Sequence, residues 1–109
     1  MPALHLPRLT RIRVVGDSMS PALNEGDWLL FSVIHSNKPH RRVRAGAVVL
    51  VQRDERDFLQ VKRVTEILPD GTIWVEGDNK SASTDSRTWG ALRTEQIKGV
   101  LRLRYKRAR

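Results

Sequence analysis

Phe58-Leu59-Gln60-Val61-Lys62-Arg63-Val64-Thr65-Glu66-Ile67, then Pro69-Asp70-Gly71, then Thr72-Ile73-Trp74-Val75-Glu76, reads as a β-hairpin. Branched and aromatic residues fill both arms. Pro-Asp-Gly supplies the preset φ and the glycine that a tight turn requires. Alternation along the first arm puts Gln60, Lys62 and Val64 on one face and Val61 and Arg63 on the other. Two adjacent cations on opposite faces are not easily both exposed when one face packs against a core.

The same β pattern recurs outward from this hairpin. Arg11 to Val15 alternates polar and apolar residues, the period of a half-buried strand. Trp28 to Ile34 and Ala47 to Val51 read as buried strands, and Ile97 to Tyr105 as a last strand. About six short strands without a long amphipathic helix predict a mainly β domain, a small coiled or barrel-like sheet. Gly16-Asp17 breaks the first strand, and Ser18 to Leu23 is expected to form a short helical turn. Ser18 or Ser20 would cap it, with Pro21 in its first turn. Residues 35 to 46 are polar and basic and predict a loop, and Arg53 to Asp57 a charged turn. Residues 77 to 90 form a polar loop long enough, in so compact a domain, to suggest function or disorder.

A chain of 109 residues has room for one core. The expected layout is an irregular lead-in over residues 1–10, one domain over 11–105 and a basic tail over 106–109. The apolar share of 39% and mean hydropathy of −0.44 fit a globular protein. A net charge of +8 is compatible with nucleic acid, an anionic membrane surface or an acidic protein. Much of the excess lies in His40-Arg41-Arg42-Val43-Arg44 and in Arg102 to Arg109, where solvated charge is the plain alternative. The absence of cysteine excludes disulfides, a thiol nucleophile and thiolate metal sites. No apolar run approaches the ~20 residues of a membrane span, and Met1 to Arg8, with two prolines, lacks the apolar core of a secretory signal. The expected location is the cytoplasm.

Two residue types at particular places suggest chemistry. Ser18 follows a sharp Gly-Asp turn, and Lys62 sits in an apolar strand. A serine hydroxyl is a poor nucleophile until a base takes its proton. His5, His35 and His40 fall in the lead-in and the basic loop, poorly placed for that task. Lysine serves only when neutral, a state held by on the order of one molecule in two thousand at pH 7 in water. Burial in apolar surroundings lowers its pKa. Each residue has an ordinary alternative, Ser18 as a helix cap and Lys62 as a side chain running out to solvent from a sheet edge. The stretch Gly77-Asp78-Asn79-Lys80-Ser81-Ala82-Ser83-Thr84-Asp85-Ser86-Arg87-Thr88-Trp89-Gly90 is unusually dense in hydrogen-bonding groups, though it too is compatible with a self-bonded loop.

Taken together and in order, these stretches resemble the signal peptidase I-like serine peptidases, which use a Ser–Lys dyad. The matching blocks are Gly16 to Leu23, Gly26-Asp27-Trp28-Leu29-Leu30, Gly46-Ala47-Val48-Val49, Val61-Lys62-Arg63-Val64 and Gly77 to Gly90. Small size and lack of an evident anchor are most similar to one subgroup, the nickel-type superoxide dismutase maturation proteases. The resemblance implies a mostly β coiled-sheet fold, with Ser18 as nucleophile and Lys62 as general base. It implies that Ser83 hydrogen-bonds the lysine amine, that Asp85 and Arg87 pair to hold the loop beside the dyad, and that Asp78 supports the loop. Gly77 suits close backbone approach. Gly16 stands where some relatives carry a serine that donates to the oxyanion, so the oxyanion would rest on backbone N–H groups, with that of Ser18 the first candidate. Met19 and Trp28 are candidates for substrate contact, with core packing the alternative for Trp28. No metal or cofactor is expected.

The implied partner is a protein substrate, an N-terminal precursor segment, and by the subgroup resemblance the propeptide of a nickel superoxide dismutase precursor. Signal peptidases proper carry a membrane helix ahead of the serine block. Here only a short stretch precedes Ser18, so exported preproteins at a membrane are not the expected substrates, and no span and at most peripheral membrane contact is expected. Two other readings stay open. One is a membrane-associated leader peptidase anchored through a partner. The other is a non-catalytic basic module that binds nucleic acid or an acidic protein, although nucleic acid is not the expected partner; self-cleaving repressors, which also use a Ser–Lys dyad, add a helix-turn-helix region for which there is no room before Ser18.

Overall fold

The computed structural model describes residues 8–35, 40–54 and 56–108. Most of the expected lead-in lies outside the described residues, as do His5, part of the basic loop, Glu55 of the charged turn and Arg109 of the tail. Six strands form one antiparallel sheet: β1 (Leu9–Arg13), β2 (Trp28–Val33), β3 (Val48–Val51), β4 (Gln60–Ile67), β5 (Ile73–Glu76) and β6 (Ile97–Lys106). Their spatial order is β1-β2-β6-β3-β4-β5. The sheet is coiled but not closed into a barrel, and β1 and β5 are its edges.

The expected strands are present with shifted ends. β1 begins at Leu9, and Val14 and Val15 leave it. Its pairing with β2 opposes Ile12 to Leu29 and Arg13 to Trp28. Beyond that point Val14 N–H donates to Asp27 O (2.8 Å), which opens the ladder into a loop. The expected helical turn at Ser18 to Leu23 contains a single helix-type bond, Leu23 N–H to Met19 O (2.9 Å), after a Ser20 N–H to Asp17 O turn (3.1 Å). Residues Leu68 to Thr72 close the hairpin through Gly71 N–H to Leu68 O (2.9 Å) and Leu68 N–H to Thr72 O (2.8 Å). Gly71 has φ +87°, a conformation that glycine adopts without penalty.

Alternation gives each face of the sheet its own apolar cluster. One face gathers Val49, Val51, Val64, Ile73, Val75, Leu92, Ile97 and Val100, with Trp89 packed against it. The other gathers Val14, Met19, Leu23, Leu29, Phe31, Val48 and Leu50, with Ile12, Val61 and Leu101 at its margin. Lys62 is opposed to Val49 and so belongs to the first face, while Arg63 is opposed to Val48 and belongs to the second. β5 pairs with β4 only from Arg63 onward. Among the described residues, Gln60, Val61 and Lys62 therefore have no strand on that side of β4.

The polar loop after β5 folds back over the exposed edge of that strand. Every second N–H along the edge finds an acceptor there: Ile73 in Leu92 O (2.8 Å), Val75 in Ser86 Oγ (2.9 Å) and Gly77 in Asp85 Oδ2 (2.9 Å). Edge strands need such cover, since unpaired N–H groups invite another chain. Inside the loop, Lys80–Ala82 makes a 3₁₀ turn, and Ser86–Trp89 makes α1, a single helical turn.

Candidate active site

Lys62 is held where its charge is disfavoured. Its side chain is 3% exposed, in the row of Val49 and Val64. The amine lies 5.8 Å from the Trp89 ring centre and donates to Ser83 Oγ (3.0 Å). Burial pushes its pKa below the ordinary lysine value, the negative charge of Asp85 pulls it back up, and the Arg87 guanidinium pushes it down again. Burial dominates, so a larger share of Lys62 is neutral than of a solvated lysine.

Ser83 is itself fixed by Asp85. The Ser83 hydroxyl donates to Asp85 Oδ2 (2.7 Å), so its oxygen is free to accept from Lys62. Asp85 is fully buried and caps α1, accepting from Arg87 N–H (3.2 Å). Arg87 Nε donates to Asp85 Oδ1 (2.9 Å) and Arg87 Nη2 to Oδ2 (3.2 Å), and Gly77 N–H completes the set. Burial alone would raise the Asp85 carboxyl, but hydrogen bonds from Arg87, Gly77 and Ser83 outweigh it and hold the pKa well below the carboxylate range. A carboxylate with this many donors stays ionised.

The two halves of the site meet at Gly77. A Cβ on Gly77 would lie 2.2 Å from Ser83 Oγ and 2.7 Å from Ser18 O, so only glycine fits between the lysine's support and the serine's backbone. Next to it, Asn79 N–H donates to Ser18 O (2.8 Å). Ser18 and Lys62 then line one open cleft of about 440 Å³, with Gly16, Asp17, Met19 and the apolar run Phe58-Leu59 along its walls. Gly16, with φ +82°, makes the turn that presents Ser18 to this cleft. Neither Ser18 Oγ nor Ser18 N–H has a hydrogen-bond partner among the described residues, and no bond links Ser18 to Lys62.

The remaining expected site residues divide. Asp78 does not touch the dyad candidates. It receives Arg63 Nε and Nη2 at 2.8 Å each, while Arg63 Nη1 donates to Gly46 O (2.9 Å). Arg63, to which the sequence reading gave no role, thus ties the loop to the start of β3. Met19 is 1% exposed and lines the cleft from the core side. Trp28 does not line it: its ring faces Tyr105 at 6.4 Å and borders the adjoining cleft with Glu25, Gly26 and Lys106. Neither described histidine, His35 or His40, borders the Ser18–Lys62 cleft.

A serine hydroxyl and a desolvated amine thus share one cleft on an open, mainly β sheet. Comparison with known proteins makes this specific. Residues 53–106 match the family described as signal peptidase, peptidase S26. The chain is also 30% identical to the mitochondrial ATP-independent inner membrane protease subunit 1a of Arabidopsis thaliana, over 88% of this chain and 70% of that protein. The chain belongs to the signal peptidase family, S26, and is a serine peptidase of the signal peptidase type.

Proposed function

We propose that this chain is an endopeptidase that works through a Ser18–Lys62 dyad and removes an N-terminal segment from a precursor protein. The observation that carries the reading is the state of Lys62: a buried amine with lowered pKa, aimed by Ser83 and Asp85, in the cleft that also holds an unpartnered serine hydroxyl. Substrate lies extended along the side of β4 at Gln60 to Lys62, where no strand pairs, in the manner of strand addition. Ser18 Oγ turns to the amine as the complex forms, since catalytic hydrogen bonds commonly tighten only with substrate bound.

Lys62 takes the hydroxyl proton while Ser18 Oγ attacks the scissile carbonyl. The resulting oxyanion is met by the free Ser18 N–H. Lys62, now charged, protonates the leaving amine and regains its neutral form. It then deprotonates water, which attacks the acyl-enzyme, and passes that proton to Ser18 Oγ as the ester bond breaks, restoring the hydroxyl and the neutral amine. Asp85 stays ionised throughout, opposing the two positive charges of Arg87 and transiently of Lys62.

The precursor we propose is a nickel superoxide dismutase, acted on in the cytoplasm. This rests on the resemblance to that subgroup stated above; the short Lys62 to Gly77 span, which leaves no room for the extra β domain of larger relatives, is compatible with it. The test is co-expression of wild type or Ser18→Ala with such a precursor, followed by intact-mass analysis. Loss of a defined N-terminal segment with wild type alone is the expected result. Trimming by both forms would sink the dyad, and trimming by neither would sink this substrate.

A second reading, a membrane-associated leader peptidase, is favoured by one observation, the inner membrane protease subunit among its relatives. Exposed Arg41, Arg42 and Arg44, which border a groove with Leu101, would then meet anionic lipid. No helix among the described residues is long and apolar enough to cross a membrane. Co-sedimentation with anionic vesicles at low salt decides between the two.

A further inference from the structure

The lysine half of the site has a visible support in Asp85, but the serine half has one that the reaction scheme does not use. Asp27 is 2% exposed and lies at the end of the loop that carries Ser18. Its Oδ1 accepts Ala108 N–H (2.7 Å), and its Oδ2 accepts Asn24 N–H (2.9 Å) and Arg104 Nη1 (3.3 Å). The same Arg104 nitrogen donates to Ala22 O (3.0 Å). Asn24 carries the hold inward: its Oδ1 accepts the Ser20 hydroxyl (3.0 Å) and its Nδ2 donates to Pro21 O (3.2 Å). Asp27's own carbonyl accepts Val14 N–H, and Gly26 N–H donates to Val14 O (both 2.8 Å). Both ends of the Ser18 loop are therefore tied at Asp27, the near end through its backbone carbonyl and the far end through its buried carboxylate.

The segment that reaches this carboxylate comes from far away in the chain. β6 is longer than the β2 strand it pairs with, and its register shifts twice along the pairing, so Arg104 and the residues after Lys106 arrive over the Gly26-Asp27 turn. There is just room for them: a Cβ on Gly26 would stand 3.0 Å from Ala108 Cβ. The backbone N–H of Ala108, more than any other group, holds the Asp27 carboxyl below its ordinary pKa, so the contact favours the ionised form.

We infer that Asp27, Arg104 and Ala108 form a latch by which the end of β6 positions the Ser18 loop for attack. Asp27 is thus a positioning residue, acting on Ser18 through Asn24, Ser20 and the Gly26–Val14 pair. The inference rests on the nucleophile assignment above, but the latch also has a consequence independent of catalysis. Untying it loosens residues 16–27 and leaves the Lys62 half in place.

The test compares wild type, Asp27→Asn and Ala108→Pro in the full chain. Proline removes the N–H that reaches Asp27 and fixes φ at a position beyond the paired part of β6. Hydrogen exchange is measured at Ser20 and Leu23, whose amides bond within the loop, and at Val64 in β4 as a control. Steady-state cleavage is measured across pH. Expected are faster exchange at Ser20 and Leu23 with Val64 unchanged, and a kcat lower by on the order of 10- to 100-fold for Asp27→Asn. Ala108→Pro shows a smaller drop in the same direction. KM and the acid limb of the pH profile, which belongs to Lys62, stay in place, whereas a general loss of structure would raise Val64 exchange as well. Wild-type exchange at Ser20 and Leu23 in both variants overturns the latch, as does unchanged kcat in both. Should Ser18→Ala still cleave, the nucleophile assignment falls, and the exchange comparison still decides the latch.

Discussion

Ser18 and Lys62 reach the same cleft from opposite kinds of structure. Lys62 is built into an interior strand, opposed to Val49 and flanked by the loop at 77–90. Ser18 stands on a run of turns whose internal bonds are few. The difference matches what each group would have to do in the proposed reaction. A lysine base works only if water is kept from its amine, and a sheet face packed on an apolar cluster does that. A nucleophile must meet a substrate carbonyl and carry free N–H groups beside it, which a strand, with its N–H groups committed to a ladder, does not offer. One half is made by burial and the other by exposure. Each is steadied by a buried carboxylate, Asp85 for the base and Asp27 for the serine.

The largest effect that breaks the comparison is at Lys62. Lys62→Arg keeps a charge but no base, and Lys62→Met keeps the length without the amine. Both are expected to lower cleavage by on the order of a thousandfold or more. Their stabilities should diverge. The folded-state pKa of Lys62 is lowered, so the charged amine costs stability in full below that value; the cost fades as pH rises from it toward the ordinary lysine pKa and is gone above. Lys62→Met is therefore expected to melt at or above the wild-type temperature at pH 7. A calorimetric scan showing marked destabilisation would mean that burial of the amine is not the cost described.

Asp85→Asn comes next and separates support from chemistry. An amide nitrogen set against Gly77 N–H or Arg87 Nε faces a donor with a donor, and we expect a loss of about 2–4 kcal/mol at neutral pH. The pKa of Asp85 is lowered in the fold, so its contribution is whole above the carboxylate range of about 3.9 and is lost as pH falls through the folded-state value. Urea melts from pH 2 to 7 should show wild type converging on the variant in acid. Removing the charge that holds the Lys62 pKa up also moves the acid limb of kcat to lower pH, because Arg87 then acts unopposed. A limb that stays put would remove Asp85 from the electrostatics of the site.

The smallest of the three is Gly77→Ala, placed where the halves touch. The new Cβ meets Ser83 Oγ and Cβ on one side, where relief would break the bonds to Lys62 and Asp85, and the Ser18 backbone oxygen on the other. We expect a cost of about 1–3 kcal/mol in stability and about a tenfold drop in kcat. Suppression of the defect by Ser83→Gly would show the clash to lie on the lysine side. No suppression would place it at Ser18.

Much of this was legible in the chain itself. The number of strands, the hairpin turn at Pro69-Asp70-Gly71 and the opposite faces of Lys62 and Arg63 all follow from period and local propensity. Such features are set by neighbours a few residues away. Trp28 shows the reach of that reading: substrate contact and core packing were both open for it, and its ring neighbour, Tyr105, lies far along the chain. Arg63 and Asp27 were passed over for the same reason, because their partners lie in other elements.

The sequence by itself determined the mainly β character, the candidate serine on its turn, the candidate lysine on its strand and the polar loop between β5 and β6. Only the tertiary structure decided that β6 lies between β2 and β3, that the loop covers the edge of β5, and that Gly77 joins the serine's carbonyl to the lysine's support. Periodicity records which side of an element meets a core. It does not record which distant element supplies that core, and the low pKa of a lysine or the tie on a serine loop depends on that supply.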